Sequence, residues 1–158
     1  MHPRAVEFAE QVRSEYGFDP DVEEFPEGTK TAADAAEAVG CDVAQIASSL
    51  AFAVDGELVV VVTSGANRVS EAALGEHFDV SSDAVGMADA DRIKETLGWS
   101  IGGVPPFAHA SAVPVVMDES LLDHETVWAA AGTPTAVFPI DPETLCEFAD
   151  AEPIPVTE

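Results

Sequence analysis

Ile46-Ala47-Ser48-Ser49-Leu50-Ala51-Phe52-Ala53-Val54-Asp55-Gly56-Glu57-Leu58-Val59-Val60-Val61-Val62-Thr63 decides how the chain is read. Asp-Gly between two apolar runs is a strong signal for a tight hairpin, so Ile46–Val54 and Leu58–Thr63 are expected as paired strands. The second run is β-branched and unbroken, which predicts a strand covered on both faces. Neighbouring strand residues point to opposite faces. Ser48 and Ser49 are therefore expected to diverge, one toward a cavity and the other away from it.

Upstream of the hairpin, Ala5, Val6, Ala9 and Val12 make one face of a helix over Pro3–Tyr16, ended by Gly17 and Pro20. Val22–Phe25 reads as a short strand and Pro26-Glu27-Gly28 as a turn. Thr31 caps an alanine-rich helix that ends near Gly40, with Asp34 in the position a capping box reserves for Glu or Gln.

Downstream, Ser64-Gly65-Ala66-Asn67 is a loop, and Ser70 caps a helix through Phe78. Met87–Leu97 reads as a helix closed by Gly98, and Ala112–Met117 as a strand whose Pro114 suits a sheet edge. Thr126–Ala131 and Thr135–Ile140 form a further strand pair around Gly132-Thr133-Pro134. Asp141-Pro142 opens a last helix, and the tail after Asp150 is expected to be loosely held. The chain shows no repeat or linker. The expectation is one α+β domain over residues 1–158, with a mixed, mostly antiparallel, barrel-like sheet surrounded by helices.

Hydrophobic residues make up 47% of the 158, enough for a core. No apolar run approaches the ~20 residues of a membrane span, and no basic-then-apolar segment opens the chain, so a cytoplasmic protein is expected. Acidic residues outnumber basic ones 30 to 6, for a formal charge of −24. Such a surface repels itself and any polyanion at ordinary ionic strength. At ~1 M salt the Debye length falls to about 3 Å and the repulsion is screened. Carboxylates dispersed along the whole chain thus point to a salt-rich, halophilic cytosol; an acidic partner-binding module is the competing reading. Six cations cannot build a broad basic groove, which argues against DNA as a partner. Any RNA must be held by local contacts to a small docked moiety. Cys41 and Cys146 are expected as free thiols, and the scattered His2, His77, His109 and His124 give no metal-ligand spacing, so neither metal nor cofactor is expected.

Gly102-Gly103-Val104-Pro105-Pro106-Phe107 is the other distinctive stretch. Paired glycines permit close backbone approach and positive φ, while the prolines stiffen the loop and remove two donors. The amides left exposed belong to the glycines and Val104, and they suit a ligand's carbonyl; a rigid turn is the plain alternative.

The ordered stretches FPEGTKTAADAAEAVG, QIASSLAF, VVVTSGANRVS, MADADRIKETLGW, SIGGVPPF, VPVVMDESLL and VWAAAGTP resemble the YbaK/EbsC family, related to the editing domain of bacterial prolyl-tRNA synthetases. The resemblance runs from about Phe25 to Phe148. It implies a barrel-like mixed sheet with helices around it. It also implies a free-standing hydrolase that clears a wrong, small amino acid of the cysteine, alanine or proline type from the 3′ aminoacyl end of tRNA. An aminoacyl-tRNA synthetase is a further partner it suggests. The family's Gly-x-x-x-Pro loop, which lies beside the aminoacyl carbonyl, corresponds to Gly102 through Pro106. The lysine that many members use for the terminal adenosine or its phosphate falls on Ser48, the hydroxyl beside it falls on Ser49, and a family serine falls near Ala130.

The expected catalytic set is therefore Gly102, Gly103, Val104 and Ser49. Backbone amides of Gly103 and Val104 would polarise the carbonyl, since an aminoacyl ester is reactive enough to need little more than a placed water. The expected substrate-binding set is Ser48, Lys30, Thr31, Asn67, Arg68, Pro106, Phe107, His109 and Ala130. Each has a plainer reading: Thr31 as a helix cap, Arg68 in a surface ion pair, His109 as a half-exposed loop residue rather than a proton relay, and Ser48 as an ordinary tolerated residue. Lys30 and Arg68 are the candidates to replace the absent lysine. Asp118, at a strand end, either orients water or caps the following turn. Trp99 and Trp128 read as core or pocket wall. A binding protein for an aminoacyl-adenosine, without efficient turnover, is the alternative to the hydrolase.

Overall fold

The computed structural model describes residues 2–25 and 31–158. The expected hairpin forms as β2 (Ile46–Val54) and β3 (Glu57–Ser64), turning through Asp55 and Gly56, both at positive φ. Around it lie α1 (Pro3–Tyr16), β1 (Glu23–Glu24), α2 (Ala32–Val39), α3 (Glu71–His77), β4 (Val85–Met87) and α4 (Ala90–Leu97). They are followed by β5 (Val115–Asp118), β6 (Val127–Ala130), β7 (Ala136–Ile140), α5 (Pro142–Ala149) and β8 (Glu152–Ile154). The strands make one sheet in the order β1-β7-β6-β2-β3-β5-β8, with β4 paired to β2 off that path. Pairings β1·β7, β2·β3, β2·β4 and β6·β7 are antiparallel; β2·β6, β3·β5 and β5·β8 are parallel. The mixed α/β architecture agrees with the sequence reading.

The valine run explains the layering. Val60 and Val62 pack into the larger core with Phe8, Leu97, Phe138 and Leu145, while Val59 and Val61 pack into a second core with Leu74, Val85 and Val156. Alternate residues of one strand thus serve opposite cores, and none can be polar without burying an unpaired group.

Local chemistry sets the helix ends as expected. Thr31, Ser70 and Asp141 accept main-chain amides at the starts of α2, α3 and α5, while Gly40 and Gly98 close α2 and α4 in the left-handed region.

Three expectations are corrected. Met87 ends a strand rather than opening a helix: Val85–Met87 pairs with Phe52–Val54, and Asp89 caps α4 by accepting from the Arg92 amide. The strand expected from Ala112 begins at Val115 and is flanked by β3 and β8, so it is no edge; Pro114 precedes it and accepts from the Val60 amide. The tail is held. β8 pairs with β5, Val156 is fully buried, and Val69 bridges to Thr157.

Candidate functional site

The pairing of β2 leaves a gap. β6 pairs with β2 only at Ile46 and Ala47, and β4 begins pairing only at Phe52. Between them, Ser48–Ala51 has β3 on one side and no strand on the other among the described residues. A cavity of about 280 Å³ opens there. Because it lies against a strand edge, residues of both faces reach it, and Ser48 and Ser49 both belong to its wall. The expectation that one of them would turn away is corrected for this reason.

The wall is mostly apolar: Ile46, Ala47, Leu50 and Ala51 from β2, Ile93 from α4, Trp128 and Ala130 from β6, and Val137 from β7. Thr31, the cap of α2, joins Ser48 and Ser49 as the polar side chains of the wall. Among the described residues, no ionisable side chain lines it. The Ser49 hydroxyl is buried and has no hydrogen-bond partner among the described residues. A buried hydroxyl without a partner costs roughly 1–3 kcal/mol, so this one is an uncompensated group in a residue of the cavity wall. It is also the feature that most distinguishes this cavity from a packing defect.

The Gly102–Val104 loop contributes Gly102, at φ 89°, and Val104 to the wall. Gly103 is required by close approach: a Cβ there would lie 2.6 Å from Thr133 Cα. This clamps the loop to Gly132-Thr133-Pro134. The Gly103 amide donates to the Ser100 carbonyl at 3.0 Å, which removes it as a carbonyl-polarising donor. The Gly102 and Val104 amides have no acceptor among the described residues.

Several expected substrate contacts lie elsewhere. Phe107 is 2% exposed, packed among Phe8, Tyr16, Phe138 and Phe148, and Pro106 is buried beside it; both are core. Ala108, at φ 65°, is held by the Tyr16 hydroxyl accepting its amide and by Trp99 Nε1 donating to its carbonyl. His109 bonds the Pro105 carbonyl at 2.8 Å through Nε2. Burial lowers its pKa, outweighing that bond, which acts to raise it. It does not line the cavity, so a proton relay is not supported.

Asn67 is likewise structural. Its Nδ2 donates to Asp118 Oδ2 at 2.9 Å and to Ser120 Oγ at 3.0 Å. Asp118 is 1% exposed. It also accepts from the Ser64 amide at 3.2 Å and from the Ser120 amide and hydroxyl at 3.0 and 2.8 Å. Burial acts to raise its pKa, but these donors outweigh burial and hold it below the ordinary carboxylate value. Of the two readings for Asp118, the cap is the one realised. Arg68 lies in a separate groove. Lys30 lies outside the described residues.

The site therefore unites Thr31, Ser48, Ser49, Gly102, Val104 and Ala130, and excludes Asn67, Arg68, Pro106, Phe107 and His109 from its wall. Sequence reading missed Ile93, Met87, Ile101, Pro134 and Val137 as wall residues. Met87 and Ile101 are 56% and 54% exposed, and large apolar side chains left in water beside a cavity are the signal that a structure supplies and a sequence does not.

Comparison with known proteins identifies the family and the fold. The model of the aminoacyl-tRNA editing domain matches residues 26–148. The uncharacterized protein YwhH of Bacillus subtilis (strain 168) is 32% identical over 129 residues, covering 81% of this chain and 80% of that protein. The proline–tRNA ligase of Lysinibacillus sphaericus (strain C3-41) is 35% identical over 78 residues, which is 49% of this chain but 13% of the ligase. A crystal structure described provisionally as a trans-editing enzyme for prolyl tRNA synthetase superposes with a TM-score of 0.93 at 32% identity, covering 100% of this chain and 99% of that one.

Proposed function

We propose, starting from the fact that the chain belongs to the aminoacyl-tRNA editing domain family, that it is a free-standing, single-domain hydrolase removing a small, wrongly attached amino acid from the 3′ end of tRNA. The observation that carries the reading is a mostly apolar cavity whose wall includes Ser49, with its buried, unpartnered hydroxyl, and Gly102 and Val104, whose amides have no acceptor among the described residues.

At about 280 Å³ the cavity falls just below the ~300–1,000 Å³ of ligand pockets. It suits an aminoacyl group on its ribose, with the rest of the tRNA outside. Alanine-rich walls favour a cysteine-, alanine- or proline-sized side chain, since one methylene of misfit costs about 1–3 kcal/mol. The Gly102 and Val104 amides would receive the negative charge that develops on the ester oxygen, and Ser49 would hold the attacking water or the substrate amine. The ligase and trans-editing relatives favour a proline tRNA, in partnership with its synthetase. The charge of −24 favours a salt-rich cytoplasm as the working medium.

The test is release of cysteine, alanine or proline from charged tRNA in molar KCl. Release above the buffer rate is expected for at least one; none across all common aminoacyl-tRNAs would overturn the reading. Ser48, standing where the family's lysine falls, favours a second reading, a binder with little turnover. Ser48→Lys separates them: a large gain in hydrolysis supports the binder, and no gain supports the hydrolase.

A further inference from the structure

We infer that the groove beside the cavity carries the nucleotide chain leading to the ester, and that Arg68 grips a phosphodiester there. This rests on the editing function proposed above. The groove is lined by Phe52, Arg68, Val69, Glu71 and Glu158, and it shares Leu50 and Met87 with the wall of the cavity. A chain whose terminal sugar enters the cavity would leave past Met87 into this groove.

Among the described residues, the wall of the cavity offers no cation, and Ser48 supplies none. The remaining described basic residues are engaged or misplaced. Arg4 pairs with Glu7 and lies over Trp99, Arg13 pairs with Asp19, Arg92 donates to the Gly56 carbonyl, and Lys94 lines neither depression. Arg68 is exposed and its side chain bonds no group among the described residues, although Glu71 and Glu158 share the groove. Those carboxylates oppose phosphate binding, and the repulsion is screened in molar salt. The guanidinium fork suits two phosphate oxygens at once. Its mounting is firm: the Arg68 carbonyl accepts from the Glu158 amide at 2.9 Å, and Val69 next to it is buried.

Two labelled ligands test this on the full chain by fluorescence anisotropy across a KCl series. One is an amide-linked, non-hydrolysable aminoacyl-adenosine; the other is the same group on a cytidine-cytidine-adenosine trinucleotide. Arg68→Ala should weaken the trinucleotide about tenfold and leave the aminoacyl-adenosine unchanged. The slope of log affinity against log[KCl] should fall by about 0.7, the contribution of one phosphate on a single strand. Arg68→Lys should restore part of both. Equal effects on the two ligands, no effect on either, or transfer of the slope change to Lys30→Ala would overturn the inference while leaving the function standing. Failure of the unaltered protein to bind the aminoacyl-adenosine would instead overturn the function, and the inference with it.

Discussion

Ser49 and Asp118 are both buried polar groups next to the central hairpin, and they are treated in opposite ways. Asp118 collects the Asn67 amide, the Ser64 and Ser120 amides and the Ser120 hydroxyl. Ser49 collects nothing from the described residues. Each of these donors to Asp118 comes from a segment that must be held: 64–67 at the end of β3, and the turn that follows β5. Ser49 sits where the sheet splits between β6 and β4, in the wall of a cavity of about 280 Å³. A buried polar group with every partner supplied by the fold is scaffold, and one left without a partner calls for a water or ligand contact that the fold does not supply.

The largest expected effect tests the glycine loop of the cavity wall. Gly103→Ala forces a Cβ onto the Thr133 backbone, so the loop must back away and carry Gly102 and Val104 with it. A shift of about 1 Å is expected to cost roughly a hundredfold in kcat/KM for deacylation.

Next comes the scaffold side. Asp118→Asn replaces an acceptor by a group that donates toward the amides it should receive. Thermal or urea unfolding at pH 7 should show a loss of about 2–3 kcal/mol, with kcat/KM retained in the folded fraction. The pH dependence has a definite sign. The Asp118 pKa is depressed in the native state, so its stabilisation is present above the unfolded carboxylate pKa and is lost as pH falls through the native one. The Asp118→Asn variant should lack that acid-side loss.

A smaller effect is expected at His109. Its native pKa lies below 6.5 because burial disfavours the charged ring. Stability is therefore full above pH 6.5 and declines as pH drops below it. His109→Gln should flatten that decline and leave the deacylation pH profile unchanged. A pH limb in kcat that vanished with the substitution would restore the proton relay.

The contrast between the serine and aspartate settings also marks what a sequence reveals. The Asp55-Gly56 hairpin, the valine run, and the caps at Thr31, Ser70 and Asp141 are legible because each rests on local chemistry. Val85–Met87 is not, since a three-residue strand containing Gly86 has no pattern of its own and exists by pairing with Phe52–Val54. β8 likewise depends on its parallel partner β5. At the site, Ser49 and the glycine loop are legible through the family resemblance. The gap in the sheet is not, because it arises from where two distant strands stop pairing. Phe107 is misplaced because an aromatic after a glycine-proline loop reads alike as pocket wall or core, and only the ring cluster around Phe8 separates them.

Ser49→Ala measures the central claim most directly, in one protein by two readouts. The substitution removes a hydroxyl that the fold leaves unsatisfied. Unfolding free energy should stay level or rise by up to about 1 kcal/mol, while kcat/KM on mischarged tRNA falls at least about tenfold. A marked loss of stability with unchanged deacylation would contradict the account, for it would place that hydroxyl among the groups that hold the sheet together.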